Sequence, residues 1–88
     1  GVYALKVTGD SMLPLYRDGD TIIVSPTLEA RPGDRVVVRT KDGEVMAKVL
    51  KRETAKTIEL QSLNSDHPDR VFERRNVASI HRIIWARQ

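Results

Sequence analysis

Short β-strand patterns separated by glycine turns fill this chain of 88 residues, and no amphipathic pattern is long enough for a three-turn helix. The first run, Tyr3–Thr8, alternates side chains between two faces, as a half-buried strand does. The other runs with strand patterns are Thr21–Ser25, Arg35–Thr40, Glu44–Arg52, Thr57–Ser62, Arg70–Phe72 and Val77–Trp85. We therefore predict a mainly β fold, a small sandwich or partly open barrel of short strands.

The composition limits the classes of protein to which the chain can belong. Its length predicts one domain, and its lack of cysteine rules out disulfides and fits a reducing cytoplasm. No apolar run approaches the roughly 20 residues that a membrane span needs, so we expect no membrane contact. The net charge of +3 and the scarcity of aromatic residues favour a solvent-facing basic surface over a nucleic-acid groove. Because the chain begins inside a strand pattern without methionine, we expect it to be a fragment of a longer protein.

Lys48 lies inside the apolar strand pattern of Glu44–Arg52. Because successive side chains of a strand point to opposite faces, Lys48 shares one face with Met46 and Leu50. A lysine buried in this way tends to lose its proton, and a neutral amine is a competent general base near neutral pH. The alternative is that the alkyl chain of Lys48 packs against the apolar strand while its amine extends into solvent. The strand pattern alone favours an amine that reaches solvent. Together with the serine motif around Ser11, it favours a buried amine that acts as a base.

Ser11 follows Gly9 and Asp10 at the end of the first strand pattern, 37 positions before Lys48. A nucleophilic hydroxyl needs an exposed place on a sharp turn, with backbone N–H groups nearby to bind the oxyanion. Glycine, aspartate and serine are also common in ordinary turns, so the motif alone is weak. With no cysteine present and both histidines far downstream, Ser11 and Lys48 are the predicted pair if the domain does covalent chemistry.

Val7–Met12 resembles the Gly-x-Ser-Met segment of the LexA-like self-cleaving proteins, a family that includes UmuD and the lambda-type phage repressors. Three further elements agree in order along the chain. Asp18–Val24 is similar to the family's D-G-D turn and strand, Arg31–Val38 to its G-D-x-V element, and Leu60–Pro68 to its L-x-x-x-N-x-x-x-P loop. Lys48 stands at the position of the family's catalytic lysine.

This resemblance runs over Ala4–Trp85 and implies that residues 1–88 form one LexA-like catalytic and dimerisation domain of a cytoplasmic bacterial or prophage repressor. It implies that Ser11 attacks an upstream peptide bond of its own chain, with Lys48 as general base. The backbone N–H groups of Asp10 and Ser11 would form the oxyanion site. The implied partners are a second copy of the chain, DNA only through a separate N-terminal helix-turn-helix domain, and a RecA-type filament. No cofactor, metal or membrane is implied.

Other functions stay open. The small-residue pair at which the family cleaves is absent, because only ten residues precede Ser11. The domain could therefore be a non-cleaving dimerisation module of a phage-type repressor. A type I signal peptidase relative would share the serine-lysine chemistry but would need a membrane anchor. A nucleic-acid-binding barrel is the least favoured class.

Several other residues are weaker candidates. Met12 and Leu13 could line a pocket for the substrate chain, although core packing is expected at least as strongly. Val77–Trp85 could pair with a second copy or could be an interior strand of the same sheet. His67 and His81 lack neighbours at metal-ligand or triad spacing, so we assign them no chemistry.

Overall fold

Seven strands form one antiparallel sheet in the computed structural model, which describes residues 1–87. In chain order they are β1 (Tyr3–Lys6), β2 (Thr21–Ser25), β3 (Arg35–Thr40), β4 (Val45–Glu53), β5 (Thr57–Gln61), β6 (Arg70–Glu73) and β7 (Val77–Arg87). A 3-10 turn, Arg74–Asn76, joins the last two strands. Their order across the sheet is β1-β2-β7-β3-β4-β5-β6. The prediction of a mainly β fold is confirmed, and the strands belong to a single open sheet.

The strand boundaries follow the sequence patterns closely, because the turns between them are chemically explicit. Arg31–Asp34 is an example, with Asp34 N–H donating to the carbonyl of Arg31 at 2.9 Å. Gly33 has φ +95° in this turn, as the third residue of a type II turn requires. β1 is two residues shorter than predicted and β7 is two residues longer.

Each face of the sheet carries a hydrophobic cluster. One cluster is Val7, Met12, Tyr16, Ile22, Val24, Val37 and Ile83. The other is Val36, Val38, Met46, Leu50, Ile58 and Leu60. Because β4 alternates between these faces, its residues Met46, Lys48 and Leu50 are all buried on the side of the second cluster. The sheet thus places one lysine among core side chains.

β7 is an interior strand, paired with β2 on one edge and with β3 on the other. The alternative that Val77–Trp85 is an interior strand of the sheet is therefore confirmed, and its contact with a second copy stays a prediction. Ile84 and Trp85 remain 44% and 55% exposed on this strand. A second copy could contact β7 only through such side chains.

Candidate active site

Lys48 is buried at the centre of β4, between Met46 and Leu50. The residue is 7% exposed, and its Nζ donates a hydrogen bond of 2.7 Å to Oγ of Ser62. Ser62 directly follows the last residue of β5 and is itself buried. The amine is therefore held against a neutral hydroxyl, and it does not extend into solvent.

The surroundings of the Lys48 amine lower its pKa below the usual value for lysine. Burial is the main cause, the positive charge of Arg70 adds to it, and Glu44 acts in the opposite direction. Arg70 is fixed by two hydrogen bonds to the Glu44 carboxylate, of 2.5 and 3.2 Å. Its Nη1 also lies 3.8 Å from Sδ of Met46, two residues before the lysine. A lowered pKa increases the neutral fraction of the amine, which is the form that a general base needs.

Ser11 lies on the glycine turn that follows β1. Gly9 has φ +82°, a conformation that favours glycine, and its N–H donates to Oδ1 of Asp18 at 2.8 Å. The turn closes where Leu13 N–H donates to the carbonyl of Asp10 at 3.2 Å. Throughout residues 1–87, the N–H groups of Asp10 and Ser11 donate no hydrogen bond. Both groups are therefore available to bind an oxyanion.

One segment between β5 and β6, Ser62–His67, contacts both the lysine and the serine turn; we call it the clamp segment. Its first residue accepts the lysine hydrogen bond described above. The backbone N–H of Asn64 donates to the carbonyl of Ser11 at 3.0 Å, and Asn64 Nδ2 donates to the carbonyl of Asp10 at 3.0 Å. Nε2 of His67 lies 2.7 Å from Oδ1 of Asp10. The predicted nucleophile and base are thus attached to the same short loop.

No hydrogen bond joins Ser11 directly to Lys48 in the part of the chain that the structure describes. The link between them runs through Ser62 and Asn64, whose Cα atoms can be at most about 7 Å apart. The structure therefore brings the two predicted residues to a common segment, with the amine bound to Ser62.

A cavity of about 300 Å³ opens beside Ser11. Residues of β1 form one wall, and Val45 and Ala47 of β4 contribute to the opposite one. These strands are separated by three others in the sheet order, so the sheet curls to bring them to one cavity. Met12 lines this cavity and also belongs to the core, whereas Leu13 does not line it. The space is large enough for one or two small side chains of a bound peptide.

Acidic neighbours pair with several basic residues of β4, of β6 and of the turn after β6. The ion pairs are Lys51 with Glu59 and Asp69, Arg74 with Glu53, Arg75 with Glu73, and Arg70 with Glu44. Because these pairs balance the local charge, the surface resembles a solvated charged face more than a groove for nucleic acid.

Two other kinds of feature are absent from the described residues. No three side chains of His, Cys, Asp or Glu in residues 1–87 gather closely enough to hold a metal ion. The same part of the chain contains no helix that is long and apolar enough to cross a membrane.

The sequence pattern did not reveal the role of the clamp segment. We assigned His67 no chemistry, yet Asn64 and His67 both bind Asp10, which lies 54 and 57 residues earlier in the chain. Ser62 was treated only as the end of a strand. Contacts across such sequence distances leave no local periodicity, and the only available signal was the resemblance of this loop to a family motif.

We expect Asn64→Ala to destabilise the chain by about 1 kcal/mol, because the carbonyl of Asp10 loses one hydrogen bond and the N–H of Asp66 loses another. Urea unfolding followed by circular dichroism measures this change. Asn76→Ala is the matched control, since Asn76 is exposed and its side chain donates no hydrogen bond within residues 1–87. Equal stability of the two variants would show that the clamp segment does not secure the serine turn.

The fold and the site together define a small all-β domain with a candidate nucleophile on a glycine turn and a buried basic side chain. The family model described as Peptidase S24-like matches residues 1–84. The LexA repressor of Granulibacter bethesdensis is 39% identical over 83 residues, which cover 93% of this chain. The chain therefore belongs to the Peptidase S24-like family, as the resemblance predicted. It spans about a third of that relative, 34% of its length.

Proposed function

We propose that this chain is the peptidase domain of a self-cleaving transcriptional repressor, in which Ser11 is the nucleophile and Lys48 the general base. The observation that carries the proposal is that the buried Lys48 amine, with its lowered pKa, is hydrogen-bonded to the same clamp segment that binds the Ser11 turn. Membership of the Peptidase S24-like family supports the reaction, and the LexA repressor relative supports the biological role.

The chemistry follows from the groups present. The neutral amine of Lys48 takes the proton of Ser11 while Oγ of Ser11 attacks the carbonyl carbon of the scissile bond. The N–H groups of Asp10 and Ser11 stabilise the negative charge that forms on the carbonyl oxygen. The lysine then gives its proton to the departing amine, and water hydrolyses the acyl-enzyme with Lys48 again as base. For the first step, the Lys48 amine and Ser11 Oγ must come within about 3 Å of each other.

A substrate segment has a suitable place to bind along β4. β5 pairs with β4 only from Val49 onward, so the edge of Val45–Lys48 opposite β3 has no strand partner within the described residues. An extended peptide that adds to this edge passes the cavity beside Ser11. We propose that the cleaved segment docks here as an added strand, with a small side chain in the cavity.

The pH dependence of self-cleavage tests this function in the natural full-length protein. Below the lowered pKa of Lys48, we expect the rate to rise about tenfold per pH unit as the amine loses its proton, and to level off above that pKa. Rates measured by gel electrophoresis between about pH 6 and pH 10 bracket the range of interest. A rate that is constant over this range would exclude Lys48 as the base.

A second function, a dimerisation module without cleavage, is supported by two observations. No hydrogen bond joins Ser11 to Lys48 within residues 1–87, and Ile84 and Trp85 expose apolar surface on β7. Under this function the full-length protein stays intact at alkaline pH and sediments as a dimer, and Trp85→Glu yields monomers. Cleavage at alkaline pH would reject it.

A further inference from the structure

Ser62 occupies an unusual position for a serine. It is buried, it directly follows β5, and its hydroxyl oxygen accepts the hydrogen bond from Lys48 Nζ at 2.7 Å. No buried side-chain nitrogen or oxygen within residues 1–87 lacks a partner. The Ser62–Lys48 contact is therefore part of a satisfied polar pair inside an otherwise apolar cluster, and the reaction proposed above gives it no task.

We propose that Ser62 is a positioning residue that holds the Lys48 amine in the orientation needed to receive the proton of Ser11. This inference rests on the proposed peptidase function. It assigns two tasks to the clamp segment: Ser62 orients the base, and Asn64, two residues later, fixes the turn of the nucleophile.

The geometry of a neutral amine explains why such a residue matters. A neutral lysine has two N–H bonds and one lone pair, and only the lone pair can accept a proton. The lysine chain has four rotatable side-chain bonds, so burial alone does not fix the direction of the lone pair. A hydrogen bond from one N–H to Ser62 restricts rotation about the Cε–Nζ bond. Because Asn64 ties Ser11 to the same segment, the orientation is set relative to the nucleophile.

Ser62 also affects the charge state of the amine. The charged groups that act on Lys48 are Arg70 of β6, which disfavours the ammonium form, and Glu44 at the start of β4, which favours it. The hydroxyl oxygen of Ser62 accepts a stronger hydrogen bond from an ammonium than from a neutral amine. Removal of the Ser62 hydroxyl should therefore lower the pKa of Lys48. It should also allow the amine to rotate more freely about the Cε–Nζ bond.

The test combines cleavage rates with a direct titration of the lysine. In the natural full-length protein, Ser62→Ala should reduce the plateau rate of self-cleavage about tenfold. It should also move the midpoint of the pH profile to lower pH. Ser62→Thr keeps the hydroxyl and should restore the rate to within about threefold of the unaltered protein. The titration of the ¹³Cε signal of Lys48, in a Ser11→Ala background that cannot cleave, should show the same shift of midpoint. The signal is assigned by its loss in Lys48→Met.

The outcomes separate this inference from the proposed function. Cleavage that is lost in Ser11→Ala but unchanged in Ser62→Ala overturns the inference and leaves the peptidase function in place. An unchanged ¹³Cε midpoint on loss of the Ser62 hydroxyl also overturns it. A plateau rate that falls in Ser62→Ala and recovers in Ser62→Thr, together with the shifted midpoint, supports it. If the unaltered protein does not cleave, the proposed function itself fails.

Discussion

Ser11→Ala and Lys48→Ala should each reduce self-cleavage of the full-length protein by at least about a thousandfold, because each removes one of the two groups that we propose for the proton transfer and the attack. Since the two residues act as a unit, the double variant should be no slower than either single one. Cleavage is measured by gel electrophoresis at a pH where the unaltered protein reaches its plateau. A double variant that is much slower than both single variants would show that the residues act independently.

Matched controls exist for both substitutions. Lys51→Ala removes a lysine three residues further along the same strand, where its amine pairs with Glu59 and Asp69 at the surface. Ser79→Ala removes a serine of β7, outside the clamp segment. Both should cleave within about twofold of the unaltered protein, since neither change touches the proposed machinery. If Lys51→Ala loses as much activity as Lys48→Ala, the assignment of the base to β4's buried lysine is incorrect.

Lys48→Met should stabilise the fold by about 2 kcal/mol at neutral pH, although it removes the proposed base and the hydrogen bond that Ser62 accepts, because the cost of burying the ammonium is the larger of the two effects. Methionine fills a similar volume beside Met46 and Leu50, and it removes the cost of burying an amine in an apolar cluster. For a domain of this size, such a gain raises Tm by roughly 8–16 °C. Thermal unfolding by circular dichroism measures it, and Lys51→Met serves as the control at an exposed site.

The gain in folding stability from Lys48→Met should depend on pH in a defined direction. The pKa of Lys48 is lower in the folded state than in the unfolded chain. Below the folded-state pKa both states carry the charge, so the folded protein bears the full cost of its burial. As pH rises between the two pKa values, the folded amine is neutral while the unfolded one still binds its proton, and the stability of the lysine protein increases. The difference between the two proteins should therefore shrink towards alkaline pH. A constant difference would mean that the amine is not forced towards its neutral form by the fold.

The fold class and the main strands could be predicted because their signals are local. The turn at Arg31–Asp34 contains its own proline and glycine, and the alternation of Val45–Leu50 placed Lys48 on the face of Met46 and Leu50, where the structure has it. The order of the strands had no such signal. β7 lies between β2 and β3 because of pairings that span 37 to 66 residues, which no local periodicity encodes.

The local sequence likewise indicates some residues of the candidate site and not others. Ser11 and Lys48 stand out because a turn motif and a buried charge are unusual within their own segments. Ser62 and His67 do not, because a serine at the end of a strand and a histidine in a polar loop are common. Their importance comes from partners on other strands: an amine of β4 for Ser62 and a carboxylate after β1 for His67.

The position of β7 affects when, during synthesis, the two halves of the sheet can be joined. β2 and β3 share no ladder with each other, so β7 is the strand that unites the half of the sheet carrying Ser11 with the half carrying Lys48. During synthesis it is the last of the seven to leave the ribosome. A nascent chain without it lacks this backbone connection between the two halves, so the proposed self-cleavage should begin only once translation of this domain is finished.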